Sequence, residues 1–174
     1  MLLEDQIRFS EIEKRDSLFY EKDSSIPYSG TYVVNNNGVT ETMTLNNGML
    51  HGPYSRSFKN NQVEVSGRYV NNYEDGLFTT FYESGQVYNK ANFSNKKING
   101  TLKLYFENGL LKFLGDYTEG QLEGVVKTFF ENGKVATLEN FVNGQRHGVF
   151  VRYNENGESE FQGNYKNGQL ESKN

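Results

Sequence analysis

Apolar and polar positions alternate along most of this chain, and the alternation restarts at a fixed interval. Gly52, Gly76, Gly100, Gly124 and Gly148 are each 24 residues apart, and Gly30 opens a shorter copy 22 residues before Gly52. A fixed period of this length marks an array of repeated supersecondary units. With each leading glycine numbered zero, position 2 holds Tyr32, Tyr54, Phe78, Leu102, Val126 and Phe150, and never a charge. Position 6 holds Phe58, Tyr82, Phe106, Phe130 and finally Asn154. Position 17 holds Tyr69, Phe93, Tyr117, Phe141 and Tyr165, with Leu45 in the short copy.

Turn residues punctuate these apolar positions twice per copy. Positions 8 and 9 read Asn-Gly at Asn108, Asn132 and Asn156, and positions 19 and 20 read Asn-Gly at Asn143 and Asn167, with Asn47 at the matching place in the short copy. Asn-Gly between alternating apolar residues signals a two-residue type I′ hairpin turn, which needs positive φ at both central residues. Two-residue turns at both sites predict a register. It places Phe106 opposite Leu111, Phe130 opposite Val135, Leu102 opposite Gly115 and Phe150 opposite Gly163. Around the second turn it places Phe93 opposite Ile98, Tyr117 opposite Leu122 and Tyr165 opposite Leu170. All fall on one face of a pleated strand pair, where a one-residue slip would turn each outward. The small residue at position 15 (Gly67, Ala91, Gly115, Gly163) leaves room for the bulky partner at position 2; Glu139 breaks the pattern and calls for an outward tilt or a bulge.

The segments GTLKLYFENG from Gly100, GVVKTFFENG from Gly124 and GVFVRYNENG from Gly148, each followed by an aromatic residue and a second turn, resemble the MORN repeat. The likeness is to its variant form, found in bacterial proteins of the YwqK antitoxin type, and it extends over about residues 30 to 172. The resemblance implies an all-β fold: an elongated antiparallel meander of stacked hairpins, about six units and twelve strands. It does not imply an activity, because one scaffold carries many functions. Residues 1–29, the least repetitive part, are expected to form an N-terminal cap on a single continuous array over 30–174. Within the cap, Ile7 and Phe9 alternate with polar residues and Leu18 to Tyr20 reads as a strand; a helix over Glu4 to Arg15 is the alternative. Gln169 to Asn174 is polar, as suits an edge strand.

A hydrophobic content of 35% is low for a globular chain but fits a thin sheet, since the aromatics are periodic. No stretch approaches the ~20 apolar residues of a membrane span, so the chain reads as cytoplasmic, or as exported or lipid-anchored if a leader precedes it. The absence of cysteine removes disulfides, thiolate catalysis and Cys-type zinc sites.

Little in the sequence supports catalysis. His51 and His147 are four copies apart, on the order of 40 Å in such an array, so they share no metal or catalytic centre. Glu83, Glu107, Glu131 and Glu155 recur about 10 Å apart, slightly wider than inverting glycosidase carboxylates, and read more simply as solvated turn residues. No phosphate-loop motif occurs. The chain is therefore expected to have no catalytic, cofactor or metal site.

One feature points to binding. Phe81, Tyr105, Phe129 and Tyr153 at position 5 point away from the face of position 6, with Lys103 and Lys127 at position 3 nearby. An aromatic ladder with basic neighbours suits a peptide, glycan or single strand; the alternative is packing over cross-strand glycines. A net charge of −4 counts against nucleic acid and anionic membranes, which attract basic surfaces. The reading is a non-catalytic scaffold that holds a macromolecular partner, a protein, across this face, with an antitoxin role implied by the resemblance. An exported or surface-associated lipid- or glycan-binding module is the alternative, and edge strands leave a route to homo-oligomers.

Overall fold

The computed structural model describes residues 12–171. The readings made on residues ahead of Ile12 and on Ser172 to Asn174 lie outside that range. The chain divides into two compact units, Met1–Gly85 and Gln86–Asn174. No helix occurs among the described residues; Ile12–Arg15, the last turn of the alternative helix, is a strand.

In the first unit β1 (Ile12–Arg15) and β2 (Leu18–Glu21) pair as a separate hairpin. An antiparallel meander then runs through β3 (Gly30–Asn36), β4 (Val39–Asn46), β5 (Met49–Ser57) and β6 (Val63–Val70), and β6 pairs with both β7 (Tyr73–Glu74) and β8 (Gly76–Phe81). The second unit repeats the plan. Its strands are β9 (Val87–Ser94), β10 (Lys97–Ile98), β11 (Gly100–Tyr105), β12 (Leu111–Thr118), β13 (Gln121–Phe129), β14 (Val135–Val142), β15 (Gln145–Arg146), β16 (Gly148–Tyr153), β17 (Ser159–Lys166) and β18 (Gln169–Leu170). Both units are all-β and antiparallel.

The second turn of each copy has the expected geometry. Asn143 and Gly144 have φ of 50° and 76°, Asn167 and Gly168 have 50° and 81°, and Tyr117 faces Leu122 as Tyr165 faces Leu170. Lys96 occupies the second central position with φ 68°, a conformation that costs a side-chain-bearing residue roughly 1 kcal/mol. Lys96→Gly is expected to raise stability by about 0.5–1 kcal/mol, seen as a higher urea midpoint.

The first turn of the longer copies departs from expectation. Tyr105, not Phe106, faces Leu111, and Phe129, not Phe130, faces Val135. The loop holds three residues: the Gly109 N–H donates to the Phe106 carbonyl at 2.9 Å and the Phe106 N–H to the Leu110 carbonyl at 2.8 Å. Only Gly109, at φ 84°, has positive φ; Asn108 does not. This is a type I turn closed by a glycine bulge, the usual three-residue hairpin. A second bulge at position 12 (Glu64, Lys112, Ala136, Glu160) then restores the register, so Leu102 faces Gly115 and Phe150 faces Gly163 as expected. The short copy has neither feature. Asn36 faces Val39 across a two-residue Asn37-Gly38 turn and the ladder runs unshifted to Gly30 and Leu45. One extra loop residue and one bulge residue are the difference between periods of 22 and 24.

The leading glycines mark a further shift. Leu114 faces Lys127 but Asp116 faces Glu123, so Gly124 and its neighbours form a bend in which Gly124 takes φ 74°. The shift is by two residues, which preserves the alternation of faces.

The clearest core lies in the first unit. Tyr28, Tyr32, Val34, Met43 and Leu45 are buried together, with Ile12, Phe19, Leu50 and Tyr54 packed against them. The β1–β2 hairpin is tied there by the Phe19 N–H donating to the Gly48 carbonyl and the Tyr28 N–H donating to the Phe19 carbonyl, both at 2.9 Å. Gly48 is needed twice over: its φ is +74°, and a Cβ would lie 2.8 Å from the Phe19 carbonyl oxygen.

Candidate functional site

Strand pairing assigns each side chain to one of two faces. On one face lie positions 2, 15, 17 and 22, where rings pack over the glycines. A Cβ on Gly67 would lie 2.5 Å from the Phe78 ring, so this ring, from the following copy, fills the space that the glycine leaves. Tyr69 stands edge-on to both Tyr54 and Phe78, with centroids 5.2 and 5.4 Å apart, the arrangement favoured by ring quadrupoles.

Glu139 belongs to this face and does not tilt outward. It faces Val126 and is only 8% exposed. Arg146 Nε meets its Oε2 at 2.6 Å, and the Thr137 hydroxyl donates to Oε1 at 3.3 Å. Arg146 stands at position 22, which is Ile98, Leu122 or Leu170 in three other copies and Glu74 in the copy from Gly52, and its guanidinium lies 5.8 and 5.6 Å from the rings of Phe150 and Tyr165. The hydrogen bond to Glu139 raises the pKa of Arg146 further. One copy has thus replaced a glycine and a leucine by an ion pair.

Tyrosines on this face are held protonated. Tyr54 donates to Glu41 Oε1 at 2.7 Å, and burial, then this hydrogen bond and the carboxylate charge, push its pKa well up. Burial likewise raises Tyr69, Tyr32 and Tyr117. Because folded values lie above unfolded ones, the tyrosine contribution to stability is fully present below about pH 10 and is lost as pH rises through the folded pKa values. Phenolate absorbance near 295 nm is expected to lag behind that of the urea-unfolded chain; coincident titrations would contradict this.

The opposite face carries positions 3, 5 and 14. Tyr105, Phe129 and Tyr153 recur on it in the second unit, all partly buried, and Phe81 occupies the corresponding place in the first. Each of the three second-unit rings faces the strand that follows it, at Leu111, Val135 and Ser159. Lys103 is exposed and Lys127 partly buried, each two residues before a ring on its own strand and therefore on the same face. A groove beside Tyr153 is lined by Phe130, Ala136, Thr137, Arg152 and Glu160.

The remaining polar candidates sit in turns and bends. Glu107, Glu131 and Glu155 are exposed, and the carbonyls of Glu83, Glu131 and Glu155 accept hydrogen bonds from the side-chain amides of Asn60, Asn108 and Asn132. Asn60, Asn108 and Asn132 at position 8 thus each bind the next copy's loop, a role that sequence reading missed by assigning this position to φ alone. His51 Nδ1 meets Asn71 at 3.2 Å, and the His147 N–H donates to the Asn140 carbonyl. Among the described residues no group of three or more His, Asp or Glu is placed to hold a metal.

The model of the MORN repeat variant family matches residues 74–95, 122–143 and 146–167. Each matched segment starts just after one type I′ turn and ends on the first residue of the next. No curated protein sequence matches the chain. Among solved structures, a mutant of S. aureus TarM in complex with fondaparinux, alpha-GlcNAc-glycerol and UDP aligns with 68% of this chain and 21% of its own, at 12% identity and a TM-score of 0.32. That likeness is too slight to carry an argument. The unmatched copy from Gly100 has the same loop, the same bulge and the same glycine bend as those from Gly124 and Gly148. Three segments of the chain are thus similar to the MORN repeat variant.

Proposed function

We propose that the protein is a non-catalytic scaffold that holds a protein partner across the face bearing Tyr105, Phe129 and Tyr153. The observation that carries this reading is the recurrence of one ring per copy on the face that the glycine packing does not use. Aromatic rings offer much contact area for little side-chain entropy. Equivalent sites roughly 10 Å apart suit a partner that extends over several copies, not a small metabolite. An antitoxin role is the specific form of this reading that the family resemblance implies.

The test compares wild type with a Tyr105→Ser/Phe129→Ser double variant as bait in lysate of the source cell. The expected result is loss of the partner captured by wild type, with an unchanged circular dichroism spectrum; identification of that partner as a toxin would establish the narrower role. Equal capture by a folded double variant would overturn the reading.

A further inference from the structure

The register brings together residues far apart in sequence along one straight row of the ring-bearing face. Lys90 faces Lys103, Lys103 faces Leu114, Leu114 faces Lys127, and Lys127 faces Leu138. Lys90 and Lys103 are thus directly opposed on adjacent strands, about 5 Å apart at the backbone, and Lys127 follows two strands further on. None of their three ammonium groups has an ion pair or hydrogen bond among the described residues. Like charges placed directly opposite each other destabilise a sheet.

The fold does not require them. The same row in the first unit reads Thr42, Ser55, Ser66 and Thr79, each facing the next, with the same backbone pairing and no charge. Lysines in one unit and hydroxyls in the other, at equivalent positions of one repeat, indicate a surface property and not a folding need. The charge also runs against the net −4 of the chain. Beside this row, two residues along the strands, run Tyr105 and Phe129.

We infer that Lys90, Lys103 and Lys127 form a docking row for an acidic polypeptide segment, whose carboxylates pair with the ammonium groups while its apolar side chains meet the adjacent rings. The inference rests on the proposed scaffold function and gives its partner a chemistry. Carboxylates on alternate residues of an extended chain are roughly 7 Å apart and those three residues apart roughly 10 Å, so such a segment spans the spacings of the row. Bringing in the opposite charge removes the repulsion that the free protein carries, and makes binding sensitive to salt.

The test is fluorescence anisotropy with a labelled peptide of alternating Glu and Tyr, and its Gln and Tyr counterpart as control. Wild type is expected to bind the Glu peptide at least about tenfold more tightly, with affinity falling as salt rises. The Lys90→Ser/Lys103→Ser/Lys127→Ser variant, built with the first unit's own residues at these positions, is expected to lose that preference, and the corresponding triple arginine variant to retain it. Equal binding of both peptides by wild type, or an undiminished preference in the folded serine variant, would overturn the inference. So would binding of phosphatidylserine vesicles or heparin without binding of the Glu peptide. If the serine variant captures the cellular partner while the ring variant does not, the scaffold function stands and the acidic partner falls; if both capture it, both fall.

Discussion

Phe78→Ala is expected to lower the stability of the first unit by about 3–5 kcal/mol, the range for removing a buried ring. Phe78 is 6% exposed and does two things at once. It fills the space over Gly67, where even a Cβ would lie 2.5 Å from its ring carbons, and it stands edge-on to Tyr69, which is itself edge-on to Tyr54. Removing it uncovers backbone that no neighbouring Cβ can cover, and strips Tyr69 of one of its ring contacts. The adjacent residue is the control. Leu77 is 52% exposed, and Leu77→Ala is expected to change stability by less than ~0.5 kcal/mol. Urea unfolding midpoints measure both; equal shifts would show that the assignment of faces is wrong.

The second large effect is expected at the ion pair. Arg146→Leu restores the residue type of other copies, yet it is expected to destabilise the second unit by about 1–3 kcal/mol, because it leaves the Glu139 carboxylate enclosed without its cation. The lower part of the range for breaking a buried pair applies, since the Arg146 side chain is 48% exposed. Glu139→Gly/Arg146→Leu, which restores both repeat residues, is expected to recover stability to within ~1 kcal/mol of wild type or above it, since buried pairs often gain little over apolar packing. A double-mutant cycle in urea reads the coupling directly. Additive losses would mean that the two side chains do not act as a pair.

Residues that act through local geometry were legible in the chain itself. The 24-residue period, the Asn-Gly type I′ turns at Asn143 and Asn167, the alternation of faces and the pairing of Leu102 with Gly115 all follow from neighbours close in sequence. The first turn was misread because Asn108-Gly109 suits two conformations, a two-residue type I′ turn and a three-residue loop in which only the glycine has positive φ. The bulge at Lys112 then cancels the error two residues on, so the distant pairs agree with either reading. The clue was present in the two extra residues of the longer copies.

What the tertiary structure alone decided lies across strands. Position 15 is a glycine in three copies, and a residue as large as Glu139 there implies outward displacement by size; only the approach of Arg146 and Thr137 shows why the carboxylate stays inside. Tyr105, Phe129 and Tyr153 could be placed on one face by alternation. Lys90 could not be joined to Lys103 and Lys127, because it occupies position 14 of its copy and they occupy position 3 of theirs. Periodicity orders residues along a strand, whereas the opposition of Lys90 and Lys103 is set by the hydrogen-bonded register between strands, which depends on the loop and bulge residues that the sequence left ambiguous.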